Sequence, residues 1–154
     1  MNARAAALMD EYFASHRHPT NRLTHKIAIP MIAFHLIAML DWIRIASVPA
    51  VPGGAVTVGM AFWVGASAWY LWADARLAVP IMILSALVFP VARQLPWWSV
   101  VAIAIVGWLV QLAGHVVWEK KQPSFLTNLV HALVGPLFFV AVLFGVYRLT
   151  PTDR

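Results

Sequence analysis

Apolar residues fill this chain in long runs separated by short polar breaks. Residues 26–45, 55–73, 77–92, 99–118 and 126–147 each read as a helix of about the length needed to cross a bilayer. None of the runs alternates as a barrel strand would, and lipid cannot satisfy the open edge of a sheet, so helices are the solution that remains. Ahead of them, residues 3–15 place Ala6, Leu8, Met9, Tyr12 and Phe13 against Arg4, Asp10 and Glu11. That segment is too short and too polar to span, and its amphipathic pattern predicts a helix lying at the membrane interface. Pro49, Pro52, Gly53 and Gly54 mark the turn after the first run, while Pro80 and Pro90 predict a short or kinked third one. The expected fold is all-α: one domain over 1–154, a polytopic integral membrane helical bundle of about five transmembrane helices plus the amphipathic one.

Composition supports this picture. Hydrophobic residues make up 62% of the chain and charged ones only 11%, against about a quarter charged in soluble domains. The net charge of +5 is spread over segment ends. That suits phospholipid headgroups and topology control, and it excludes nucleic acid as a partner. With five spans, Arg4, Arg17, Arg22, Lys26, Arg76, Lys120 and Lys121 share one side, and Arg44, Arg93, Arg148 and Arg154 the other. The positive-inside rule then puts the N-terminus in the cytoplasm. No apolar targeting segment opens the chain, so its N-terminus is expected to be retained. Few lysines and no retention signal point to a bacterial inner membrane, or to the endoplasmic reticulum in a eukaryotic host. The chain has no cysteine, which rules out thiolate zinc sites and iron–sulfur clusters.

Ionisable residues inside apolar runs are functional suspects. Gln111, His115 and Glu119 stand four apart on one helical face. Asn21 and His25 do the same at the start of the first span, with His16 just before it, and Thr127, Asn128 and His131 open the fifth. His115 and His131 lie about 7–9 Å below the same surface at 1.5 Å per residue. These faces predict a metal site assembled from three parts of the chain. Imidazoles with a carboxylate and no thiol suit Fe(II), Zn(II) or Mn(II). The residues alone leave open an iron oxygenase, a zinc hydrolase of lipids, a bis-His haem protein and a non-catalytic lipid-binding protein. His35, Asp41 and His18 are expected to be structural, and the tryptophans to serve packing and the interface belt.

Two stretches carry a resemblance. Tyr12, His16, Pro19, Asn21, His25 and Pro30 keep the spacing Y-x3-H-x-N-P-x-N-x3-H-x2-G-x-P, with His18 in place of asparagine and Ala28 in place of glycine. Gln111, Gly114, His115, Glu119 and Pro123 keep Q-x2-G-H-x3-E-x3-P, followed by Pro136 and Phe138 as P-x-F. Ser124 stands where alanine is usual, and residues 140–143 lack an expected acidic side chain. Together these stretches resemble the signatures of the Mpo1-like membrane proteins. The resemblance implies an Fe(II)-dependent dioxygenase of fatty acid α-oxidation, shortening a 2-hydroxy fatty acid by one carbon with O2. It implies His16, His25, His115 and His131 as iron ligands and Glu119 as a ligand or catalytic base. Arg22, Lys26, Lys120 and Lys121 would draw the carboxylate to the membrane surface, with Asn21 and Gln111 also contacting the substrate.

Overall fold

The structure is a computed structural model that describes residues 1–14, 16, 18–120 and 128–145. Arg17, Lys121, Thr127, the end of the expected fifth span, and the two C-terminal arginines used in the charge count lie outside the described residues. Helix follows helix: α1 (Ala3–Ala14), α2 (Pro19–Asp41), α3 (Val58–Ala73), α4 (Ala75–Ala86), α5 (Val88–Ala92), α6 (Trp97–Ala113) and α7 (Val130–Leu143). A six-residue π-helix, Gly114–Glu119, continues α6. Pro19–Asp41, Ala75–Ala92 and Trp97–Glu119 are long and apolar enough to cross a membrane; α3 and α7 are apolar but shorter.

Large apolar side chains face outward along the helices, among them Val64, Ile83, Leu84, Leu109 and Val116. A surface of that kind belongs against lipid. Exposed Trp72 stands near one end of the bundle, and exposed Trp42, Trp97 and Trp98 stand at the other, as interfacial belts require.

Three local features refine the expectation: the first changes it, and the second is the kink that the prolines of the third run predict. The first helix begins at Pro19, a favoured first-turn residue, and stops at Asp41 rather than running to 45. Ile43 and Ile45 extend the apolar run but belong to a β-ribbon, with β1 (Arg44–Ser47) paired antiparallel to β2 (Ala55–Thr57). Gly53 and Gly54 adopt the positive φ of its turn. Second, the Ala75–Ala92 segment breaks at Leu87, because Pro90 can neither donate to the Ala86 carbonyl nor clear it. Third, α1 packs its apolar face into the bundle. Its Ala5, Met9 and Tyr12 are buried in a core with Tyr70, Leu77, Ala78, Val134, Leu137 and Ala141. Its apolar face therefore meets helices rather than lipid.

The end of the bundle remote from α1 is fixed by one carboxylate. Asp41 Oδ2 accepts from Arg93 Nε at 2.7 Å, and Oδ1 accepts from Arg93 Nη2 at 3.0 Å and Thr57 Oγ1 at 2.7 Å. Arg93 Nη1 also donates to the Pro52 carbonyl at 2.7 Å. The satisfied, structural role expected of Asp41 is what the contacts give. Arg93→Ala would leave a buried carboxylate without its cation, and a loss of about 3 kcal/mol in stability is expected, to be read from denaturation in detergent. At the opposite end, Asp74 caps α4 through the Arg76 and Leu77 amides. Its carboxylate also bonds the N-terminal amine, which holds its pKa below the usual value. Helix α3 therefore returns the chain from the Asp41 end to the α1 end.

Candidate metal centre

The centre forms where the start of α2 meets the end of α6. A Cβ at Gly114 would collide with Asn21 Oδ1 and Thr24 Oγ1, so only glycine permits this approach. The π-turn that follows aims His115 at α2; such bulges are frequent at functional sites. Lys120 closes the turn in the left-handed conformation, at φ 52°.

Three buried imidazoles converge there. His25 Nε2 lies 3.0 Å from His16 Nε2 and 3.0 Å from His115 Nε2, and one nitrogen from each ring falls within 4.8 Å of the others. Backbone carbonyls set the tautomers. His16 Nδ1 donates to the Tyr12 carbonyl at 2.6 Å and His25 Nδ1 to the Asn21 carbonyl at 2.8 Å. A carbonyl only accepts, so both Nε2 atoms carry lone pairs, and those lone pairs face each other. Burial holds His16 neutral, lowering its pKa to about 4 against the opposing pull of the Tyr12 carbonyl.

Facing lone pairs repel unless a cation lies between them. Nitrogens that share an ion at about 2.1 Å and subtend a right angle lie about 3.0 Å apart, so the three residues fit a divalent ion. Axial ligands of a haem sit on opposite faces of the iron, about 4 Å apart at the same bond length, with the macrocycle between them. The 3.0 Å spacings of His25 from His16 and from His115 do not fit that arrangement.

Other expected site residues stand elsewhere. His131 is buried but is not one of the three. The Tyr12 ring stacks on His16 with centroids 4.1 Å apart and meets His131 edge-on at 6.4 Å, so it touches both. Neither ring nitrogen of His131 has a hydrogen-bond partner among the described residues. The Glu11 carboxylate is 3.5 Å from its Nε2, an ion-pair distance rather than a hydrogen bond. Glu119 does not reach the imidazoles as a ligand. Its Oε1 accepts from the His18 amide at 2.7 Å and the Asn21 side chain at 3.2 Å, tying the π-turn to the segment that carries His16 and His25. His18 itself caps α2 by accepting from the Thr20 amide, a structural role. His35 bonds the Met31 carbonyl and the Trp108 indole, also structural.

The imidazoles open onto an apolar cavity of about 390 Å³, within the range of ligand sites. Its wall includes Tyr12, His16, Gln111, His115 and His131 at one end and Leu36, Ile37, Phe62, Trp63 and Ser85 at the other. Of the side chains expected to bind substrate, Gln111 lines it, and its Nε2 is 2.6 Å from His25 Nε2. Arg22, Lys26, Asn21 and Lys120 do not line it. Arg22 packs over the Phe13 ring, Asn21 is buried beneath the π-turn, and Lys26 and Lys120 are exposed. Residue types gave no sign of Tyr12 and Asn21 as orienting carbonyls, because a carbonyl belongs to every residue.

The arrangement assigns Glu119 a positioning role. Glu119→Ala, which orphans two donors, is expected to weaken metal binding by about 10–100-fold. Glu119→Gln keeps an acceptor and should retain the metal. If it instead keeps the metal and loses turnover alone, Glu119 is a catalytic base.

Comparison with known proteins agrees with the signatures. Residues 3–147 match the family described as "2-hydroxy-palmitic acid dioxygenase Mpo1-like". The chain is 28% identical over 128 residues to the 2-hydroxy-palmitic acid dioxygenase MPO1 of Saccharomyces cerevisiae, covering 81% of this chain and 70% of the yeast protein. A yeast relative lends no support to the bacterial inner membrane expected from the sparse lysines. No solved structure matches. With its signatures, its buried histidines and this match over most of its length, the chain belongs to the Mpo1-like family.

Proposed function

We propose that this protein is an Fe(II)-dependent dioxygenase of 2-hydroxy fatty acids. The observation that carries the reading is the meeting of three buried imidazoles, two of which, His16 and His115, line an apolar cavity. The overall reaction balances without an outside reductant: a 2-hydroxy acid and O2 give the acid one carbon shorter, CO2 and water. The C1–C2 bond breaks, C2 becomes the new carboxyl carbon, and C1 leaves as CO2.

His16, His25 and His115 would hold the ion, and three imidazoles leave positions for other ligands, as oxygenase sites require. Bound Fe(II) supplies the O2 activation that the side chains here cannot. The Tyr12 and Asn21 carbonyls keep two of the rings in the ligating tautomer. Gln111 Oε1 and both ring nitrogens of His131 are buried without hydrogen-bond partners among the described residues. They stand in the cavity wall, where the hydroxyl and carboxylate of the substrate would complete their hydrogen bonds. The apolar wall excludes water and takes the acyl chain. Helices α3 and α7 are read as crossing the bilayer with the three longer segments, the N-terminal end facing the cytoplasm.

The test is anaerobic purification, metal identification, and addition of 2-hydroxypalmitate with O2. Pentadecanoic acid, with one O2 consumed per CO2 released, is the expected result. The same product formed without O2, or no product from iron-loaded protein, would overturn the reading.

A further inference from the structure

We propose that Trp63, fastened to Ser85, is the floor of the cavity and sets the length of acyl chain it accepts. The indole Nε1 donates to Ser85 Oγ at 3.0 Å, and that hydroxyl donates to the Ile81 carbonyl at 2.6 Å. The pair therefore braces α3 against α4 with its hydrogen bonds satisfied. Just beyond it α2 and α3 touch. A Cβ on Gly59 would come within 2.8 Å of the Asp41 amide nitrogen and 3.0 Å of the Ile37 carbonyl, so no chain passes between these backbones.

The depth follows from helix geometry. From His25, at the imidazoles, to Ile37, where α2 meets α3 just beyond the floor, α2 rises about 18 Å at 1.5 Å per residue. An extended chain with backbone-like bonds advances about 1.2 Å per bond. The space between metal centre and floor thus holds a chain of at most about 16 carbons. The wall is mainly apolar, with Ile29, Ile32, Ala33 and Ala66 along its length beside Ser67 and Tyr70. Each buried methylene is worth about fourfold in affinity, whereas one that must press into a filled end is rejected by about tenfold or more. Affinity is therefore expected to climb with length and then fall.

This inference rests on the oxygenase reading only for the identity of the headgroup, and it is tested by binding as well as turnover. Purified full-length protein in lipid nanodiscs, kept anaerobic, is titrated with 2-hydroxy acids of 10 to 24 carbons against a bound fluorescent fatty acid. Turnover of the same mixture is then measured in air. The wild type should bind best near the depth limit. Trp63→Ala should raise the ratio of 20-carbon to 16-carbon binding more than tenfold, and Ala66→Phe, which fills the cavity partway, should move the optimum to shorter chains. Shifts in binding without turnover in any protein would leave the floor standing and sink the oxygenase. Should Trp63→Ala fail to fold, Ala66→Phe decides by itself. A length profile unchanged in the folded variants overturns the proposal.

Discussion

Replacing His25 with alanine is expected to strip the protein of its metal and abolish turnover, while His131→Ala keeps the metal. His25 is the central ring of the three, with an Nε2 that lies 3.0 Å from each of the others. Its loss leaves His16 and His115 without the ring that lies 3.0 Å from each. Disturbing residues that only support a ligand lowers metal affinity or activity about 10–100-fold, and removal of the central ligand should exceed that. His131 is not one of the three clustered imidazoles and has no hydrogen bond to them among the described residues. Metal content per chain after anaerobic purification, with circular dichroism to confirm folding, gives the comparison. Full metal content in His25→Ala would remove it from the ligand set, and metal loss in His131→Ala would restore it as a fourth.

Gly114→Ala should do nearly as much harm without touching an imidazole. The added methyl meets Asn21 Oδ1 and Thr24 Oγ1 on α2, and overpacking of that kind costs about 1–3 kcal/mol. Relief requires α6 to withdraw from α2, carrying His115 away from His25. A displacement of about 1 Å can cost about 100-fold in rate, so a large fall in activity is expected with a modest fall in thermal stability. Thermal unfolding and turnover on one preparation check the two together. Wild-type activity in this variant would show that the close approach of the helices is not what assembles the centre.

Much of this architecture was legible in the order of residues. Apolar runs located the helices, and the spacing of Asn21 to His25 and of Gln111 to His115 placed those side chains inward, where the structure has them buried. What failed to show has physical causes. Hydropathy continues through Ile43 and Ile45, so it could not mark where helix gives way to the ribbon. The amphipathic pattern of α1 did not say what its apolar face meets, and Ala5 and Met9 pack against α4 and α7. A four-residue spacing assumes an α-helix. The π-turn breaks that assumption after Gly114, and Glu119 consequently reaches the His18 amide rather than the imidazoles. Depth and the resemblance named four histidines as ligands; His16, His25 and His115 converge, while the position of His131 beside Tyr12 depends on packing that no sequence pattern reveals. Arg22, Lys26 and Lys120, read as drawing the carboxylate to the membrane surface, do not line the cavity.

The claim beneath all of this is that three imidazoles from two parts of the chain share one ion. X-ray absorption at the iron edge of anaerobically purified, iron-loaded protein tests it directly. The expected spectrum has three imidazole nitrogens at about 2.1 Å with oxygen donors filling the remaining positions, and the imidazole signal falls by one ring in His115→Ala. A first shell with one imidazole or none, unchanged by that substitution, would contradict it.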